Sequence, residues 1–348
     1  EALISQVDTL HPGDLINIGH AYSKARKHES QHLMGAVAAA ALRRLPEIRL
    51  LPLTKLLHGL TKARHPAPEL FRAAAARATE LLERPPGPQC LSGTDHHAIA
   101  CVVWTCAKNH PEGEGDIRRL FQATRRYVTA HPQGFQKKGD LPRVLWSLAA
   151  AGMMNAELHQ DIAQRSSDLL HSKLAYHDLG RLFQLEVLFQ PSGGSGLPPA
   201  VLETTRKLWA QRTWPRDDQR LELVCVALSS LGLSFQRGKL LADGLMQLDI
   251  AVELPGGSLL GVEVDSQWYY TVSGEGASDH PPHELGRLRL RQHILRAWGW
   301  NTVRIPSHEW AALTVASGEP REAQREYLKA KIDAAVAAGQ VVPAATQD

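Results

Sequence analysis

Three carboxylates, Asp249, Glu263 and Asp265, sit on two short apolar runs, Leu248-Asp249-Ile250-Ala251-Val252 and Leu259-Leu260-Gly261-Val262-Glu263-Val264-Asp265-Ser266, separated by Pro255-Gly256-Gly257. Paired as a hairpin across that turn, the runs bring the acids close together at one sheet. Carboxylates grouped in this way hold Mg²⁺, and two-metal chemistry cleaves phosphodiesters. These three are therefore the candidate catalytic residues. Further along, Arg287, Arg289, Arg291 and Arg296 lie on one helical segment from Gly286 to Ala297, and Trp268, Tyr269 and Tyr270 precede the polar loop leading to it. Guanidinium forks and aromatic faces suit phosphates and unstacked bases, so Trp268, Tyr269, Arg287, Arg289 and Arg291 are candidate RNA-binding residues.

The elements that must position these groups run strand, strand, helix, strand, the last being Thr302-Val303-Arg304-Ile305-Pro306 after Trp298-Gly299-Trp300. Trp298, Trp300 and Trp310 bracket that strand and are expected in the core. The segment resembles the RAP domain, an RNA-binding domain shared with FAST-kinase-like mitochondrial proteins. The likeness rests on Leu248-Asp249-Ile250-Ala251, Val262-Glu263-Val264-Asp265, Gly299-Trp300 before an apolar strand, and Ile305-Pro306 with Glu309-Trp310. It implies the core of the restriction-endonuclease-like fold, whose nucleases use an Asp and a Glu-x-Lys to hold a metal. Asp249 and Glu263 match the two acids, but Asp265 stands where active members carry Lys. The family's Asp-Gly and following His are replaced by Asp265-Ser266 and Tyr269, and its helix Lys by Arg291. The resemblance thus implies RNA binding without catalysis, and no cofactor or metal.

Ahead of this segment the chain is repetitive. Five stretches align without gaps, starting at Asp14, Pro52, Ala98, Asp140 and Asp178. Their second position is aliphatic in every copy (Leu15, Leu53, Ile99, Leu141, Leu179), and so is the fifth (Ile18, Leu56, Val102, Val144, Leu182), the spacing of a buried helix face. A second amphipathic helix follows each: Gln31 to Leu45, Pro68 to Glu83, Asp116 to His131, Ala156 to His171 and Ala200 to Gln211. Helix pairs repeated at this period stack into an α-solenoid. The period, and above all Asp140-Leu141-Pro142-Arg143-Val144-Leu145-Trp146-Ser147-Leu148-Ala149, resemble octotricopeptide repeats, which bind single-stranded RNA in organelles and often precede a RAP domain. The expected fold is mostly α, a solenoid over 1–212, then a small α/β domain over 216–315 and a terminal helix with tail over 316–348.

Basic residues near helix ends are the candidate phosphate contacts of the solenoid: Lys24, Arg26, Lys27, Lys62, Arg64, Lys108, Arg118, Arg119, Arg125, Arg126, Lys137 and Lys138. Lys24, Lys62 and Lys108 share one repeat position, so they form a ladder if they face the same way, and such a ladder makes binding salt-dependent. The plain alternative is a solvated helix face. His20, His58, Trp104, Trp146 and Gln184 share another position, where aromatic rings either stack on bases or pack between helices.

Composition agrees. The net charge is +3, and residues 215–348 hold 13 Lys and Arg against 17 Asp and Glu, so the excess of positive charge lies before them, where phosphates are attracted. Four cysteines, Cys90, Cys101, Cys106 and Cys225, include no Cys-x-x-Cys pair and fit a reducing compartment. No run reaches the length of a membrane span; Ala36 to Leu42 is cut short by Arg43-Arg44. Asp95-His96-His97 and Asp279-His280-Pro281-Pro282-His283 lack further ligands at zinc spacing and are expected in solvated loops. Leu185-Glu186-Val187-Leu188-Phe189-Gln190 spells a picornaviral protease site, yet it falls in register as the end of the fifth repeat's first helix, and Pro191 replaces the usual Gly-Pro after it. The chain starts at Glu1, which leaves room for a targeting segment ahead of it. The expected partners are single-stranded or ribosomal RNA and other proteins of an organellar ribonucleoprotein, in the mitochondrial matrix or the chloroplast stroma. The function classes left open are an RNA-stabilising, RNA-processing or translation factor, a subunit of an organellar ribosome, and a metal-dependent ribonuclease.

Overall fold

A computed structural model describes residues 3–25, 31–84, 91–110, 113–168, 174–194, 196–210, 218–241, 244–255, 257–272, 282–316, 320–339 and 342–343. Among the described residues there are fourteen α-helices and seven short strands. They fall into two compact units: residues up to Leu208 together with Tyr270–Leu290, and Trp209–Tyr269 together with the chain from Arg291 onward.

The first unit is built from stacked helix pairs. Its first layer consists of α1 (Pro12–Ala25), α3 (Leu50–Ala63), α5 (Gly93–Asn109), α7 (Asp140–Ala150) and α9 (Tyr176–Phe189), each packed on the next. A second layer, α2 (Gln31–Arg43), α4 (Pro68–Leu82), α6 (Asp116–Ala130) and α8 (Ala156–Arg165), runs beside it, and α10 (Pro199–Ala210) follows. The repeat positions explain the stacking: Leu15, Leu53, Ile99 and Leu141 are buried, as are Leu56, Val102, Val144 and Leu182. In the terminal pairs Leu179 and Ile18 are half-buried, because one neighbour is missing there. Where α1 and α3 cross, Gly59 is required by proximity, since a Cβ on it would stand 2.7 Å from the Gly19 carbonyl oxygen. Helix starts follow local chemistry: Ser92 and Asp95 form a reciprocal capping box on α5, and the Asn155 side chain accepts from the Leu158 amide at the start of α8.

Two expectations change here. Asp95-His96-His97 is the first turn of α5 rather than a solvated loop, with His96 Nε2 2.8 Å from the Tyr127 hydroxyl and His97 Nδ1 2.8 Å from Asp140 Oδ1. Such pairing spends both rings inside the fold. The second motif lies largely outside the described residues; its last member, His283, stacks on His110 with ring centroids 5.0 Å apart and hydrogen-bonds through Nε2 to the Asn109 carbonyl at 2.7 Å.

The second unit centres on a mixed sheet. Strand β1 (Ser234–Arg237) pairs antiparallel with β4 (Ile250–Glu253), β4 antiparallel with β5 (Ser258–Val264) in the register Ile250 to Val262, and β5 parallel with β6 (Thr302–Ile305). The short strand β7 (Val342–Pro343) pairs with the start of β5, and β2 (Leu240–Leu241) pairs with β3 (Met246–Gln247) apart from the main sheet. The parallel pair demands a crossover, which α12 (Gly286–Ala297) supplies between β5 and β6. Helices α11 (Asp218–Ser230), α13 (Ser307–Ala316) and α14 (Pro320–Ala337) complete the unit. Its core joins Leu221, Val224 and Leu228 to Ile250, Val262, Val303 and Ile305, together with Leu328 and Ile332 of α14. The terminal helix thus packs into this core. Trp300 and Trp310 are buried as expected, whereas Trp298 is half-buried.

Candidate nucleic-acid interface

The first-layer helices present one face built from three repeat positions, three and then four residues apart. Lys24 and Lys62 are exposed at the last of them, and Lys108 is half-buried there. One turn earlier stand His20, His58, Trp104, Trp146 and Gln184. Their rings pack sideways into the neighbouring repeat: His58 stacks on Trp104 at 5.3 Å with a 22° tilt, and Trp146 Nε1 donates to Gln184 Oε1 at 2.7 Å. Trp104 and Trp146 are buried, so packing between helices is the outcome for both. At the third position the sequence expectation missed three cations, Lys55, Arg143 and Arg181, which the same gapless alignment would have exposed.

Cations gather around Trp104. Lys108 Nζ lies 4.8 Å from its ring centroid and the Arg181 guanidinium carbon 5.3 Å from it. Burial, followed by the charges of Arg287, Arg181 and Lys62, pushes the Lys108 ammonium down to about 7. Burial, with Lys62 and Lys108 adding to it, lowers His58 to about 4. Arg143 and Arg181 are partly neutralised by the buried Asp140 and Asp178 of their own helices. Lys62, Lys108 and Arg287 have no carboxylate partner among the described residues.

The remaining candidates divide. Arg118, Arg119, Arg125 and Arg126 lie on α6 in the second layer, where Arg119 and Arg126 share Glu83. They belong to a different layer from the lysine ladder. Lys137 and Lys138 are exposed just before α7, and Arg26 and Lys27 lie outside the described residues. Arg64 is a structural residue: it caps α3 in the left-handed region (φ 55°), its carbonyl accepts from the Val272 amide at 3.0 Å, and its Nη1 donates to the Tyr270 carbonyl at 3.3 Å. Trp268 is exposed and Tyr269 half-buried in a short 3₁₀ turn. Arg287 is exposed in the first turn of α12, and Arg289 Nε stands 3.8 Å from Glu284 Oε2.

The acidic group is occupied by arginines. Glu263 is buried on β5, and Arg291 of α12 straddles both its oxygens, with Nη2 3.0 Å from Oε1. The same Nη2 donates to the Gln247 carbonyl at 2.7 Å. The half-buried Arg291 thus directs its guanidinium into the unit, onto Glu263 and Gln247. Burial works against its charge, and the Glu263 carboxylate more than offsets this, so its pKa stands above the ordinary guanidinium value. Asp265, buried two residues on, pairs with Arg304 of β6. Asp249 Oδ2 accepts from the Val264 amide at 2.9 Å, while its own amide donates to Glu263 Oε1 at 3.2 Å. Among the described residues no three His, Cys, Asp or Glu side chains converge on a metal position.

The chain is thus mostly α, with stacked helix pairs in its first unit and a small mixed α/β sheet in its second. Residues 262–331 match the RAP domain, so the chain carries that domain after a largely helical region. The match takes in Glu263, Asp265, Arg287 and Arg291, and it begins after Asp249. No curated protein matches the chain. The RAP domain suggests RNA binding, and no helix among the described residues is long and apolar enough to cross a membrane.

Proposed function

We propose that the protein is a non-catalytic RNA-binding factor of an organelle, acting in the stabilisation, processing or translation of a transcript, with the octotricopeptide-like repeats taking a single strand along the first-layer helices. The observation that carries this reading is the row of Lys24, Lys62 and Lys108 on successive first-layer helices, in a chain whose RAP domain suggests RNA. Phosphates spaced along a strand meet successive cations, and bound counterions are released as they do. The mitochondrial matrix is the proposed compartment, with the chloroplast stroma as the alternative; both rest on the family resemblance.

Absence of catalysis is supported by the arginines on Glu263 and Asp265, which occupy the oxygens that a metal would need. Incubation of the full chain with labelled RNA and Mg²⁺ or Mn²⁺ tests it, and cleavage lost in a Glu263→Ala variant that still folds and binds RNA would restore the nuclease reading. A second reading, a structural subunit of an organellar ribosome, draws on Leu223 and Val226, apolar and exposed near each other on α11, which suit a protein neighbour. Crosslinking and sequencing of bound RNA from the protein's own cells, with the gradient fraction recorded, separates the two. One transcript in light fractions is the expected result. Ribosomal RNA at fixed sites in ribosomal fractions would overturn it in favour of the second.

A further inference from the structure

We infer that Lys108, which lies over the indole of Trp104 beside the first turn of α12, forms with Arg287 of that turn and Lys62 of the preceding first-layer helix a binding site for a single phosphate group. On the reading above, which this inference deepens, that group is a backbone phosphate of the bound RNA strand.

Three features converge there. First, Lys108 is a half-buried ammonium lying over the Trp104 ring, with Arg181 over the same ring. Elsewhere the arginines drawn into the fold find carboxylates: Arg291 has Glu263, Arg304 has Asp265 and Arg181 has Asp178. Among the described residues Lys108 has none, nor do Lys62 and Arg287. An uncompensated, partly desolvated cation is costly unless an anion joins it. Second, the first turn of α12 abuts Lys108. Gly286 packs so tightly on the Ala107 carbonyl that a Cβ would overlap it, and that Cβ would stand 3.3 Å from Lys108 Cα. Third, the Leu288 and Arg289 amides are satisfied by the Leu285 carbonyl, while those of Gly286 and Arg287 have no acceptor among the described residues. Free first-turn amides and the positive end of the helix favour an oxyanion.

Proton linkage gives the site a signature. Lys108 is held near 7 by burial and by Arg287, Arg181 and Lys62, with the neutral His58 stacked on the same Trp104 ring. A bound phosphate stabilises the charged ammonium, so binding takes up a proton above that pH. For one such group, affinity falls about five-fold between pH 7 and pH 8.

The test uses the full chain and two probes, a fluorescent 20-nucleotide single-stranded RNA and inorganic phosphate, with Lys108→Met, Arg287→Gln, the double variant and, as control, Lys329→Met on α14. Lys108→Met keeps the stem beneath Trp104 and removes an uncompensated charge, so it is expected to fold. Should it not, Lys108→Arg carries the test through the pH profile alone. The expected results are a loss of about 0.7 in the log–log salt slope for each single variant, no further loss in the double, and no pH dependence in Lys108→Arg. The control stays as wild type. RNA binding with slope and pH profile unchanged in every variant would overturn the site and leave the RNA reading standing. If wild type binds no RNA, yet phosphate shifts its tryptophan fluorescence and fails to do so in Lys108→Met, the site stands for a free phosphate ligand and the RNA reading falls. No response to either probe overturns both.

Discussion

Arg291 of α12 and Glu263 of β5 form a bidentate pair inside the second unit, with a third donor contact from Arg291 to the Gln247 carbonyl. The crossover helix is thereby tied to β5 and to β3, which meet at one guanidinium. Removing the carboxylate strands the charge. Glu263→Ala is expected to cost about 3–5 kcal/mol, as when one partner of a buried pair is deleted. The double variant Glu263→Leu/Arg291→Met, which removes both charges, is expected to cost much less. Denaturant melts of the three proteins check this, and an equal loss in single and double variants would count against the pair.

Acid should loosen the first unit. His65, His110 and His58 are each lowered by burial to about 4, and His65 holds Gln31 through Nδ1 at 2.9 Å. Between that value and the ordinary 6.5 the unfolded chain binds protons that the folded one refuses, so stability is present above 6.5 and falls as the pH drops toward 4. For the deeply buried His65 alone the loss is on the order of 3 kcal/mol. Urea midpoints at pH 7.5, 5.5 and 4.5 should fall steeply in the wild type and less steeply in His65→Gln.

Much of this architecture is legible in the chain because its cause is local and repeated. Leu53, Leu56 and their counterparts mark a buried stripe at a fixed period, and Pro255-Gly256-Gly257 between two apolar runs marks the β4–β5 hairpin. The arginine helix, Gly286 to Ala297, also stands where the sequence puts it. What the sequence hides is partnership over long range. Nothing near Arg291 says that its guanidinium turns inward to Glu263, and nothing near Arg64 says that it will hold Tyr270 and Val272. Strand β1 is missed because Ser-Phe-Gln-Arg is short and mostly exposed, as an edge strand is. Lys55, Arg143 and Arg181 are missed because attention to helix ends overlooks the middle of the same face.

Two glycines should respond in opposite ways to alanine. Gly59 faces backbone at the α1–α3 crossing, where a Cβ would meet the Gly19 carbonyl oxygen at 2.7 Å and neither backbone can move alone. Gly59→Ala is expected to cost about 1–3 kcal/mol, the usual penalty of overpacking. Gly93, at the first position of α5, has nothing within 4 Å of the added Cβ. Gly93→Ala is expected to gain about 0.4–1 kcal/mol by restricting the unfolded chain. Thermal melting of both decides the matter, and a destabilised Gly93→Ala would show that the start of α5 is tighter than its surroundings imply.

The protease-like stretch Leu185 to Gln190 supplies the sharpest check on the fifth repeat. Proteases bind their substrates in extended form, whereas here Leu185, Glu186, Val187, Leu188 and Phe189 are all buried on α9 and the α9 backbone is helical. Cleavage therefore requires the helix to leave the unit and unwind, at a free-energy cost set by local or global opening. Because Pro191 directly follows Gln190 and blocks cleavage there, chymotrypsin makes the check: native protein is expected to resist cutting after Phe189 over hours, while protein in a sub-denaturing concentration of urea is cut there. Rapid cutting of the native chain after Phe189 would place this segment outside the solenoid and reduce the stacked repeats by one.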